Sequence, residues 1–526
     1  MQILCFIGFT FLVAVISYWR TKRTNESTSD GYFLGGRSLT AATVAGSLLL
    51  TNLSTEQIVG LNGTAFKEGI LVMAWETIAA ITMVITAVFL LPRYLKGGIT
   101  TIPQFLERRY DKGTKTISSI LFLSGYMIVL LPIVLYSGAL AINTMFDIPE
   151  LLGVSKVIAL WITVFSIGTI GSIYAIFGGL KAVAISDTIN AIGLLLGGVL
   201  IPYFGLQIIG SGDILDGFIT LVQSQPDKFK SMGGQEASVP FGTIFTGMLL
   251  VNLFYWGTNQ AIIQRALGAK NLKEGQKGLL LASFIKILGP IIVVLPGIIA
   301  FHMFGDTLDN ADEAYPTLVT KVLPAYLVGF FAAVLFGAIL SSFNSALNSS
   351  VTLFGVDIYR SHIRPNATES QTVKAGKKFG ILLALLSMLI APLIAYAPDG
   401  LFGYLQKING CYSIPILTII IVGYLTKYVP AIAAKVSIAS GVLLYIAYVL
   451  LDEFVLPGFF PHYLHVMAIL FVFNILLMLL IGRFYPLKKA YMQLYTNQVD
   501  INPWKYLKVS GILISLIVIF IYIYFA

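Results

Sequence analysis

Runs of about 18 or more predominantly apolar residues recur along the whole chain, and they leave few folds open to it. Each run spans a ~30 Å hydrocarbon core as a helix rising about 1.5 Å per residue. Lipid-exposed backbone tolerates only helices or closed barrels, so the expected class is an all-α integral membrane protein. About fourteen spanning helices are expected, near residues 1–18, 38–65, 69–93, 117–145, 154–178, 182–208, 240–262, 278–304, 325–357, 379–397, 400–425, 429–452, 460–482 and 508–526. With 57% of residues hydrophobic and only 11% charged, no soluble domain is hidden among them.

A net charge of +9 would point to nucleic acid in a soluble protein, but here the basic residues sort by loop. Most of the 34 Lys and Arg fall in every second loop: Arg20 to Arg23, Arg93 to Lys115, Lys181, Arg265 to Lys277, Arg360 to Lys378, Lys427 with Lys435, and Arg483 to Lys508. Basic loops stay cytoplasmic, which places both termini outside the cytoplasm of a plasma (inner) membrane protein. The intervening loops carry Asp147, Glu150, Asp306, Asp309, Asp312, Glu313, Asp452 and Glu453.

The first segment, MQILCFIGFTFLVAVISYW, is expected to be a retained helix rather than a signal peptide, because its positive charges follow the apolar stretch. Cys5 and Cys411 lie in apolar segments and imply no disulfide framework. The four histidines show no zinc-ligand pattern, and no Walker loop offers ATP as an energy source. No organic cofactor, nucleic acid or obligate protein partner is indicated.

Against this background Lys286 stands out. It lies nine residues past Lys277, roughly 13 Å into the membrane on a helix and near the midplane. An ammonium left in hydrocarbon costs at least ~2.5–3.5 kcal/mol, so it requires a cavity, a polar partner or both. Glu76, nine residues from Lys67 at the opposite face, reaches a similar depth and qualifies as the partner. The pair serves either a transport site or helix cohesion alone.

Four polar clusters interrupt the apolar spans. Thr51-Asn52-Leu53-Ser54-Thr55-Glu56-Gln57 reads as a broken helix whose freed carbonyls can bind a cation while Asn52 and Gln57 face a polar ligand. GAILSSFNSALNSS offers hard oxygen ligands at Ser341 and Ser342, or else small-residue helix packing. VNLFYWGTNQAIIQRALGAKN holds Asn252, Tyr255 and Trp256; the Trp covers a ligand face or anchors at the interface near Arg265. GLFGYLQKING adds Gln406. Together Asn52, Gln57, Glu76, Asn252, Lys286 and Gln406 suit a neutral molecule with many hydroxyls, such as a sugar.

Several long stretches, GYFLGGRSL, NLSTEQIVGL, Trp75-Glu76, TIPQFLERRY, IYAIFGGLKAVAISD, NLFYWGTNQAIIQR and SSFNSALNSS followed by DIYR, make the chain similar to the sodium/solute symporter family over essentially its whole length. The resemblance is greatest to the sodium/sugar branch. It implies a LeuT-type fold of two inverted five-helix repeats in one transmembrane domain, 1–526. The first repeat would cover about 37–208 and the second about 240–425, with residues 1–36 and about 429–526 peripheral. It implies sodium as the coupling ion, held by the carbonyls of Leu50, Leu53 and Ala338 and the hydroxyls of Ser341 and Ser342. The sugar would be held by Asn52, Gln57, Glu76, Asn252, Lys286 and Gln406.

The same resemblance makes Tyr255 an inner gate with Trp256 beside the ring, and Leu61, Trp75 and Phe402 an outer hydrophobic gate. Asp187 would line the sodium exit route, or else start a helix near Lys181. Asn344 and Ser345 fall where sialic-acid-type relatives place ligands for a second sodium. Ala79, Leu61 and Trp75 depart from the serine, methionine and tyrosine of galactose carriers, so hydroxyl readout on that wall should differ. The function expected is sodium-coupled import of a sugar by alternating access. The alternatives are symport of myo-inositol, sialic acid, a nucleoside or proline, or a non-transporting sugar sensor on the same fold. An enzyme is not expected, since Glu76 and Lys286 alone supply no nucleophile or metal.

Overall fold

A computed structural model describes residues 2–21, 28–308, 310–396 and 401–526. Lys22, Arg23, Asp309 and the side chain of Phe402 lie outside the described residues. The described chain is helical, with two isolated bridges, Leu39 to Ala269 and Gly233 to Pro240, in place of any sheet. Ten helices among the described residues are long and apolar enough to cross a membrane, or eleven if the bent pair Leu272–Lys286 and Gly289–Phe304 is one span.

Two of the fourteen expected spans, 38–65 and 240–262, are divided by backbone breaks that hydropathy sums over. The segment 38–65 is two short helices, α2 (Ala41–Asn52) and α3 (Thr55–Glu68), after the first helix α1 (Gln2–Thr21). Helical turns then continue through α4 (Ala74–Ile85) as far as Gly97. At about 1.5 Å per residue that run exceeds one crossing. It leaves helical space at Gly69, whose φ of 84° suits glycine and whose Cβ would overlap the backbone of Lys228.

Two long elements follow, α5 (Lys112–Phe146) and α6 (Lys156–Ile209), the latter containing two candidate spans, Lys156–Ala175 and Leu180–Ile209. The expected span 240–262 is also divided, into α7 (Gly247–Gly257) and α8 (Gln260–Leu267). Then come α9 (Leu272–Lys286) and α10 (Gly289–Phe304), bent by 52° where Pro290 lacks a backbone donor. The remaining elements are α11 (Ala325–Thr352), α12 (Glu369–Ile390), α13 (Leu401–Leu425), α14 (Ala431–Phe454), α15 (Tyr463–Phe484) and α16 (Leu507–Tyr524).

The breaks have local causes. Leu53 (ψ 53°) and Ser54 (ψ 177°) leave helical space between α2 and α3. Between α7 and α8, Asn259 is extended and caps α8 through the N–H of Ala261 at 3.0 Å. Outside this centre, α1 packs on α11 through Phe6 against Phe336 and Phe9 against Phe330.

Several basic residues assigned to solvated loops are structural. Arg109 is buried and donates to the carbonyls of Gly423, Thr426 and Val429, at 2.8, 3.2 and 3.0 Å, where α13 ends. Lys115 is also buried and pairs with Glu107 at 2.7 Å. Linear charge counting does not separate such groups from solvated ones.

Candidate functional site

A cavity opens where the two helix breaks face each other. It is lined by Asn52 at the end of α2, Gln57 at the start of α3, Trp75 from α4, Asn252, Tyr255 and Trp256 from α7, and Gln406 from α13. Glu56, Asn259, Asn409 and Tyr412 complete its polar wall. Seven of the expected residues therefore meet in one place.

Glu76 and Lys286 do not line that cavity; they lie behind it. Lys286 Nζ donates to Glu76 Oε2 at 2.5 Å and to Asn52 Oδ1, and Gln57 Nε2 donates to Glu76 Oε1 at 2.7 Å. The four side chains form one chain, Asn52 to Lys286 to Glu76 to Gln57, so these two cavity amides are each tied to one end of a buried ion pair. A Cβ at Gly289 would overlap the Glu76 carboxylate, so the glycine at the start of α10 makes room for the pair. The Trp256 ring lies 5.6 Å from Lys286 Nζ and is edge-on to Tyr255 at 5.3 Å. Trp256 is buried, which removes the interfacial-anchor alternative.

Four polar cavity residues, Glu56, Asn259, Asn409 and Tyr412, were not among the expected substrate or gate residues. Glu56 is buried, and its Oε2 has no hydrogen-bond partner. Asn259 accepts from Tyr126 Oη at 2.7 Å. On α13, Asn409 donates to Gln406 Oε1 at 3.2 Å and accepts from Tyr412, a ladder at three-residue spacing that is visible in YLQKINGCY. The signal for the second break was Gly257-Thr258-Asn259, a glycine stop followed by an N-cap residue. Leu61 is fully buried and does not line the cavity, so of the three expected outer-gate residues only Trp75 does so among the described side chains.

One residue before Asn52, the chain touches the middle of α11. Ser342 Oγ donates to the Thr51 carbonyl at 2.9 Å, and Thr51 Oγ1 lies 3.4 Å from Ser341 Oγ and 3.2 Å from Ser345 Oγ. Leu50, Leu53 and Ala338 are buried beside them. Uncharged oxygen donors at a helix break fit a small hard cation that must bind and leave. Asn344 is buried with its Oδ1 unpartnered.

Asp187 stands inside α6, not at a helix start, and accepts from Ser47 at 2.6 Å. Arg265 was counted among loop charges, yet it is 0% exposed. It donates to Ser47 at 3.3 Å and to Ser345, placing a guanidinium between Asp187 and the serine face of α11.

With this geometry in place, comparison with known proteins decides the family. Residues 32–440 match the model of the sodium:solute symporter family. The chain belongs to the sodium:solute symporter family. This symporter is 49% identical to the uncharacterized symporter YidK of Escherichia coli (strain K12), over 98% of this chain and 90% of that protein. It is 33% identical to the sodium/glucose cotransporter of Vibrio parahaemolyticus, over 84% of this chain and 83% of that protein. Its fold is shared with a substrate-bound, outward-open sodium-coupled sialic acid symporter. That match has a TM-score of 0.77 at 21% identity and covers 93% of this chain and 98% of the other. The symporter is thus a multi-pass membrane transport protein, and its family and structural neighbours are transporters rather than enzymes.

Proposed function

We propose that this symporter couples inward sodium movement to uptake of a monosaccharide of the glucose or galactose kind. The observation that carries the reading is the adjacency of Thr51 and Asn52. Thr51 contacts the serine face of α11, whereas Asn52 lines the cavity and accepts from Lys286. A cation that orders the break after α2 thereby shapes the cavity wall, and linkage makes the effect reciprocal. The 33% identity to a sodium/glucose cotransporter and the amide-rich wall support a neutral polyhydroxyl solute.

In this proposal sodium is held by the carbonyls of Leu50, Leu53 and Ala338 with Ser341 and Ser342. The sugar is held by Asn52, Gln57, Asn252 and Gln406, and the Glu76 to Lys286 pair loosens toward it. Tyr255 and Trp256 close the inner side, and Trp75 the outer. The fold is two inverted repeats, 37–208 and 240–425, in a plasma membrane with both termini outside the cytoplasm. A membrane potential near 100 mV supplies ~2.3 kcal/mol per sodium and a tenfold gradient ~1.4, enough for roughly 500-fold accumulation of a neutral solute.

Counterflow tests it: proteoliposomes preloaded with unlabelled galactose or glucose in sodium should take up the labelled sugar transiently. Equal counterflow in sodium-free medium would contradict sodium coupling.

A further inference from the structure

The α13 helix turns Gln406, Asn409 and Tyr412 toward the cavity. About 100° round the helix, one residue on, Lys407 points away from it. Its Nζ reaches Asp452 at 3.1 Å and Glu453 at 2.6 Å, both in the last turn of α14. Its carbonyl accepts from the buried Tyr445 hydroxyl at 2.8 Å, also from α14. One turn further, Gly410 leaves room for that Tyr445 ring, which a Cβ there would overlap.

These contacts share one side of α13 and oppose its rotation about its own axis. Rotation matters because a single-residue step of about 100° would replace Gln406 at the cavity by a neighbour. The side chains of Lys407 and Asp452 are 20% exposed and that of Glu453 50%, and ion pairs this accessible add little to folding stability. Their effect is directional: one ammonium held between two carboxylates at the end of a neighbouring helix.

We propose that Lys407, held by Asp452 and Glu453, is a positioning residue that sets the rotation of α13 and so the aim of Gln406 and Asn409 into the cavity. The consequence for transport rests on the proposed function, since it takes the cavity to be the solute site; the orientation itself does not.

The test separates the two. In a chain with Cys5 and Cys411 replaced by serine, Asn409→Cys reports the cavity face through its reaction rate with a membrane-impermeant methanethiosulfonate in nanodiscs. Lys407→Met should slow that labelling at least fivefold and raise the KM for labelled D-glucose or D-galactose, with maximal rate within twofold. Lys407→Arg should restore both. Asp452→Asn combined with Glu453→Gln should reproduce the Met variant and decides the matter if Lys407→Met does not fold. Unchanged labelling in the folded variant, or equal impairment by Met and Arg, overturns the proposal. Altered labelling in a chain that transports neither sugar upholds the positioning role and counts against the sugar reading instead.

Discussion

Lys286 Nζ lies 2.5 Å from Glu76 Oε2, and neither side chain is more than 1% exposed. The two groups pair directly at this depth, and each also holds a cavity amide. Removing one partner of such a pair leaves an uncompensated buried charge, at about 3–5 kcal/mol. Lys286→Met and Glu76→Gln should each lower the melting temperature in detergent markedly, and the double variant should lose much less than the sum. Additive losses would mean that the two groups do not act as a pair.

Gln57 is the hydrogen-bond donor to the far oxygen of Glu76 and a wall of the cavity. Gln57→Ala should raise the KM for sugar roughly tenfold, the equivalent of losing one hydrogen bond to a charged group at about 1.5 kcal/mol. Concentration-dependent uptake, normalised to protein in the membrane, checks this; an unchanged KM would confine Gln57 to helix packing.

Ser342 joins α11 to the Thr51 carbonyl. Ser342→Ala should raise the sodium concentration for half-maximal uptake tenfold or more, as loss of a charge-assisted contact of about 1.5–3 kcal/mol predicts. Sodium titration of uptake provides the measurement. Concentrative uptake that no longer depends on sodium would overturn the cation assignment.

Depth arithmetic placed Lys286 and Glu76 at one level because each lies nine residues from a charge at a membrane face. The break at Leu53 and Ser54 was legible for a related reason: seven consecutive residues from Thr51 to Gln57 contain only one apolar side chain. Arg265 was not legible. A charge next to a basic loop reads as solvated until the fold shows Asp187, Ser47 and Ser345 around it. The second break was hidden because the apolar run ending in Phe254-Tyr255-Trp256 keeps hydropathy high up to the glycine. The Gln406 to Tyr412 ladder needed the helix phase as well as its composition.

Asp111 gives a pH test away from the cavity. It caps α5 through the N–H of Thr114 at 2.8 Å and pairs with Lys435 at 2.6 Å. Partial burial pushes its carboxyl up, but hydrogen bonds from Lys435 and Thr114 push it further down, to a net value below the ordinary 3.8. A carboxyl depressed on folding adds stability above its unfolded pKa, and this is lost as pH falls through the folded one. Asp111→Ala should therefore lower the melting temperature at pH 7, largely through loss of a cap of about 1 kcal/mol. The gap from the parent should narrow below about pH 4, near the unfolded aspartate pKa. A gap that is constant with pH would remove the charge from the account.

The most direct measurement of the central claim is uptake of labelled galactose, glucose, myo-inositol and sialic acid into proteoliposomes, under an inward sodium gradient and again with potassium in its place. The account predicts accumulation of glucose or galactose above the external concentration with sodium and none with potassium. Sodium-dependent sugar binding without accumulation, or equal uptake in potassium, would contradict it.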